Sequence, residues 1–152
     1  MAATHERYMR EALKEAEEAL ESHDRPVGAV IAHQGRVIGR AHHQVKLLRD
    51  PTAHAAIIAI TQAANELGSD QLTDAVVYVT EEPCAMCVGA LLLSKAARLI
   101  YGAANPRSGA CGSVIDLAKN ERLNRRMTVT GDVLSGDCFA LLRRFAASAH
   151  TD

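Results

Sequence analysis

Residues 78–87 read Tyr78-Val79-Thr80-Glu81-Glu82-Pro83-Cys84-Ala85-Met86-Cys87, a strand that runs into the start of a helix. The β-branched run at 75–80 predicts a buried strand. Pro83 suits the opening of a helix, where its missing N–H is not needed, and an apolar helix over 84–94 follows. Towards the C-terminus, 98–101 reads as a strand ended by Gly102, 105–112 as a loop of turn residues, 127–130 as a last strand and 134–149 as a closing amphipathic helix. Towards the N-terminus, Asp50-Pro51-Thr52 is a turn and cap signal before a helix over 53–67. Two apolar runs, 27–32 and 36–41, are split by His33-Gln34-Gly35 and predict a β-hairpin. Before Pro26, residues 4–22 repeat Ala12, Leu13, Ala16, Ala19 and Leu20 at helical spacing. Strands alternating with helices predict an α/β layered domain, and the hairpin makes its central sheet mixed.

The chain has 152 residues, the size of a single domain spanning 1–152. Its 48% hydrophobic and 23% charged residues exclude a disordered or fibrous chain. A net charge of −1 gives no overall pull towards nucleic acid or membrane, but the charge is unevenly spread. Residues 1–82 hold eight basic and 13 acidic side chains, residues 83–152 nine and five, which keeps an anionic partner open. No apolar run reaches the length of a membrane span, and the N-terminus lacks the apolar core of a secretory signal. Four cysteines are too few for a disulfide scaffold, so the expected compartment is the reducing cytoplasm, where clustered Cys points to metal or catalysis.

Cys84 and Cys87, three residues apart at a helix start, face the same way. The positive helix end favours the thiolates that a metal needs. His54, early in another helix, is the expected third ligand. Two thiolates and one imidazole leave a fourth position of zinc free for water, the catalytic arrangement. The competing readings are two buried small hydrophobes, or half of a structural zinc knuckle.

His54-Ala55-x with Glu82-Pro83-Cys84-x-x-Cys87 resembles the H-x-E…P-C-x-x-C pattern of the zinc-dependent cytidine/deoxycytidylate deaminase superfamily. Pro26-Val27-Gly28-Ala29-Val30, Asp50 to Ala55, Tyr78 to Cys87 and Ser108 to Ser113 extend the likeness towards its bacterial tRNA-specific adenosine deaminase branch, over nearly the whole chain. The resemblance implies a three-layer α/β/α cytidine-deaminase-like fold with a mixed five-stranded sheet. It also implies one zinc ion on His54, Cys84 and Cys87, a homodimer, and conversion of adenosine to inosine at the tRNA wobble position. A free-base or nucleoside deaminase of guanine or cytosine type, and a non-catalytic RNA-binding pseudoenzyme, are the alternatives.

One family residue is missing. The H-x-E glutamate, which in relatives takes a proton from the activated water and delivers it to the ring and the leaving amine, is replaced by Ala56. A metal brought near neutrality by two thiolates acidifies water less than one held by neutral ligands, so the loss weighs more. Acid–base groups contribute about 10²–10⁴-fold, so the chain is expected to hold zinc and deaminate poorly or not at all. An intentional Glu→Ala substitution and a natural pseudoenzyme both give this pattern. Glu82 is expected to be a committed structural residue, and Glu81, at a strand end, to face solvent.

On the substrate side, His43 stands where relatives carry Asn, and reads either as a base contact or as a solvent-facing strand end. By resemblance Pro26 and Val27 form the wall behind the ring, and Ala55 and Asn105 touch substrate. Arg98, Arg107, Lys119, Arg122, Arg125, Arg126, Arg143 and Arg144 are the cations available to phosphates. Tyr101 suits base stacking or the core equally. Cys111 and Cys138 are expected off the metal, and His5, His23, His33 and His150 in solvent. The apolar run 88–93 is a core face or a dimer interface.

Overall fold

The β-branched run becomes β3 (Val76–Glu81), the central strand of a five-stranded sheet ordered β2-β1-β3-β4-β5 in the computed structural model. Residues 1–123 and 125–149 are described, so His150 lies outside the described residues. β1 (Gly28–His33) pairs antiparallel with both β2 (Arg36–His42) and β3. β3, β4 (Arg98–Ala103) and β5 (Thr128–Thr130) are parallel. The mixed sheet follows from the hairpin, as the sequence predicts.

Helices cover both faces. One core holds α1 (Ala2–Glu21) and α5 (Ser135–Ala149) against the sheet, with Met9, Ala12, Val30, Tyr78 and Cys138 buried between them. The other packs α3 (Ala55–Leu67) and α4 (Ala85–Leu93) through Ala59, Ala63, Val77, Val79, Val88 and Leu91. Alanine at the packing positions lets the helices lie close to the strands. Gly28 meets the backbone of α1 at Ala12, and Gly39 that of α3 at Ala59, so a Cβ at either glycine would collide.

Two local readings are corrected and one element is added. Gly102 does not end β4, which runs on to Ala103. That glycine instead makes room for Cys138 and for the Thr80 carbonyl, a packing role that leaves strand pairing intact. A short helix, α2 (Val45–Leu48), precedes the Asp50-Pro51 turn, and buried Asp24 accepts its Lys46 and Leu47 amides at 2.8 and 3.3 Å. His5 is half-buried rather than solvated, with Nδ1 2.9 Å from the Tyr78 hydroxyl.

Candidate metal centre and cavity

Two helix starts meet beside the C-terminal end of β3. His54 caps α3 and Cys84 caps α4, each one residue ahead of its helix, and Cys87 lies in the first turn of α4. His54 Nδ1 lies 3.6 Å from Cys84 Sγ and 3.5 Å from Cys87 Sγ. The three ligand atoms all fall within 4.8 Å of one another. Tetrahedral zinc with ordinary bond lengths separates an imidazole nitrogen from a thiolate sulfur by about 3.6 Å, so the donor set fits such an ion without rearrangement. Cys111 stands outside this cluster among the described residues.

The three donors share protons, which a bound cation would have to displace from Cys87 and His54. The Cys87 hydrogen bond, with His54 second, brings the Cys84 thiol down to about 3, which favours its thiolate. The same Cys84 contact, together with burial, pushes the Cys87 thiol up. Hydrogen bonding to Cys84 raises His54.

A cavity of about 400 Å³ opens over the triad. Of the residues expected at the substrate, Val27, His43, Ala56 and Asn105 line it. Pro26 and Ala55 are buried but are not on its wall. His43 is not a solvent-facing strand end. Its Nδ1 accepts the Ala55 N–H at 2.9 Å, and its ring stacks on His54 with centroids 4.5 Å apart and planes at 25°. Burial, then the charges of His54, Arg25 and His42, lower its pKa to about 3, which keeps it neutral. The Asn105 side chain closes its own turn: Oδ1 accepts from the amides of Arg107 and Ser108, and Nδ2 donates to Ser108 Oγ.

Three acidic residues, Asp24, Glu81 and Glu82, are among those that line the cavity. Asp24 is held by the first amides of α2. Glu81 is 6% exposed, contrary to the expected solvent-facing position. It accepts Arg25 Nε at 2.9 Å and Nη2 at 2.6 Å, a two-point ion pair. Glu82, 1% exposed, accepts the amides of Asn105, Cys111 and Ser113 and the Ser113 hydroxyl. Burial works to raise Glu82, but these hydrogen bonds prevail and hold its carboxyl below the usual range. Glu82 is therefore the committed structural residue that the sequence implies. The Arg25–Glu81 pair is not foreseen. Its trace in the sequence is a charge placed directly before Pro26-Val27 and another before Glu82-Pro83-Cys84.

The expected cations divide. Arg107 lines the cavity. Arg125 instead donates to the Leu92 and Leu93 carbonyls at the end of α4, and Arg126 pairs with Glu121 at 3.8 Å. Tyr101 lies against Gly131, away from the cavity.

The mixed five-stranded sheet and the helix starts that present these donors put the chain in the class of hydrolytic deaminases. It belongs to the MafB19-like deaminase family, whose model matches residues 3–143. The tRNA-specific adenosine deaminase of Bacillus subtilis (strain 168) is 39% identical over 140 residues, covering 92% of this chain and 87% of the relative. That of Streptococcus pyogenes serotype M18 is 38% identical over 138 residues, covering 91% and 87%. A solved structure from work on A-to-I editing by tRNA:A34 deaminases matches with a TM-score of 0.86 and 36% identity, over 90% of this chain and 99% of that one. A guanine deaminase from Nitrosomonas europaea matches with a TM-score of 0.79 and 27% identity, over 93% and 84%. The chain is thus a deaminase scaffold similar to tRNA adenosine deaminases.

Proposed function

We propose that this chain holds one zinc ion on His54, Cys84 and Cys87, receives the wobble adenosine of a tRNA anticodon stem-loop over it, and fails to turn it over. The tRNA assignment rests on the adenosine deaminase relatives, and the metal on the triad's spacing. A zinc ion bound there supplies Lewis-acid activation of water. The rest of the chemistry is proton movement, and it falls to the protein. Removing an exocyclic amine requires a side chain that gives up and takes back protons at the reacting atoms.

The observation that carries the inactive reading is the state of the cavity's carboxylates. Ala56, buried and on the cavity wall, has no proton to move. Asp24, Glu81 and Glu82 are each bound to donors of the protein itself, so none stands ready as a substitute. Val27 and His43 bound the base site, Asn105 and Ser108 its loop side, and Pro26 and Ala55 support it from behind. Lys46 and Arg107 line the same cavity and are suited to phosphate.

The test is Ala56→Glu. Incubated with tRNA and zinc, the variant is expected to gain inosine formation by about 10²–10⁴-fold over the parent chain, read by mass spectrometry of tRNA digests. A zinc-loaded variant that leaves every nucleobase substrate unchanged refutes the deaminase reading. The guanine deaminase neighbour supports a second reading, a free-base substrate. Gel shifts of an anticodon stem-loop at low and high salt, set against free guanine binding, separate the two.

The homodimer reading is supported by the outer face of α4, where Ala85, Met86 and Leu93 are exposed while Val88, Leu91 and Leu92 face the core. Among the described residues no helix is long and apolar enough to cross a membrane, and the four cysteines are free, in keeping with a cytoplasmic setting. The family match over residues 3–143 supports a single deaminase-like domain for the whole chain.

A further inference from the structure

A hydrogen bond between Ala55 and His43 fixes where one proton sits. A backbone N–H can only donate, so His43 Nδ1, 2.9 Å from Ala55 N, must be the bare nitrogen. The ring therefore carries its proton on Nε2. Stacking on His54 fixes the plane of that ring. Among the described residues Nε2 has no protein partner, and it is not sealed in, since the one buried side-chain N or O without a hydrogen-bond partner is Glu11 Oε2. His43 lines the cavity, so the Nε2–H is open to it.

We propose that His43 is a one-way hydrogen-bond relay. It consumes the Ala55 amide and presents a single donor to the cavity, so it selects a nucleobase edge that offers an unprotonated ring nitrogen or carbonyl acceptor. A base edge bearing a donor at that point would set N–H against N–H. The relay also removes the Ala55 N–H from direct contact with any ligand. This inference rests on the reading of the cavity as a nucleobase site.

Two measurements test it on the zinc-loaded protein. The first is nitrogen–proton correlation NMR of imidazole-labelled protein, with His43 assigned by its loss in His43→Phe. The expected result is a protonated Nε2 and a bare Nδ1. A ring protonated on Nδ1 overturns the proposal. The second uses anticodon stem-loop RNAs carrying adenosine, 1-deaza-, 3-deaza- or 7-deazaadenosine at the wobble position. One deaza substitution is expected to weaken binding about fivefold, the worth of one neutral hydrogen bond, and to have no effect in His43→Phe. Equal binding of all four RNAs, or discrimination that survives in His43→Phe, overturns it. Absence of any RNA binding refutes instead the functional reading beneath it, while the NMR result still decides the tautomer.

Discussion

Glu82→Gln is nearly isosteric and removes one charge from a buried site that four donors surround. The best fit for glutamine keeps its carbonyl on the Cys111 and Ser113 amides, where Oε2 now accepts at 2.9 and 3.1 Å. Its NH₂ then faces the Asn105 N–H, donor against donor, while the Ser113 hydroxyl can turn to accept. One orphaned amide costs about 1–3 kcal/mol, and two charge-assisted bonds made neutral lose about 1 kcal/mol each. Relief from burying the charge offsets part of this, leaving a loss of about 3 kcal/mol. For a chain of this size that lowers the melting temperature by about 6–12 °C. The pH dependence has a definite sign. Glu82 is held below its ordinary value of 4.5 in the folded state. Its contribution is therefore complete above the unfolded value and is lost as pH falls through the folded one. Urea titrations of the zinc-loaded parent and variant should differ fully at pH 7 and converge below pH 4.5. A difference under about 0.5 kcal/mol at pH 7, or one that persists unchanged into acid, refutes the account of Glu82 as the anchor of the loop at 105–113.

The remaining expectations concern metal, charge and the paired arginine. Elemental analysis should find one zinc per chain, and Cys87→Ala should abolish it, with a fall in melting temperature that added zinc does not reverse. Stem-loop affinity should fall linearly on a log–log salt plot. Arg107→Ala should reduce the slope by about 0.7–0.9 for each phosphate that is no longer neutralised, whereas alanine in place of a lysine or arginine remote from the RNA leaves it unchanged. Arg25→Met strands the buried Glu81 carboxylate and should destabilise the protein by about 3 kcal/mol, whereas Arg25→Met with Glu81→Leu should return it close to the parent, as measured by thermal melts.

The strands and helices and the triad were legible in the sequence because each rests on a local pattern, whereas the strand order is set by pairing between distant segments. β-branched runs, the hairpin's Gly35 and the Pro-Cys helix start identify their elements without knowledge of the partners they meet. His54, Cys84 and Cys87 were found by residue type and by their place at helix starts, which the fold brings within 3.6 Å. What escaped was set by the second partner of a polar group. Glu81 reads as an exposed strand end until Arg25, 56 positions away in sequence, closes on it. His43 reads ambiguously until the Ala55 amide fixes its tautomer. Gly102 reads as a strand terminator until Cys138 packs against it.

The same dependence on partners explains why Ala56 cannot be excused by the acidity around it. A cavity with three carboxylates looks rich in proton carriers when only its composition is counted. A carboxylate acts as base and acid in turn only if its proton can leave and return without breaking the fold. Protonating Glu82 would set a hydroxyl against donors that now depend on its charge. Protonating Glu81 would leave Arg25 without its anion. Asp24 would release the first amides of α2. Each proton transfer would then break bonds that hold the fold, a cost that works against the barrier reduction that acid–base catalysis provides. A glutamate at position 56 would begin on the cavity wall, where no such bonds have to be given up. Glu81→Gln therefore supplies the last discriminating measurement. Introduced into Ala56→Glu, it should leave most of the restored inosine formation intact. If it abolishes that activity without loss of zinc or melting temperature, the proton path runs through Glu81 and the assignment to position 56 is wrong.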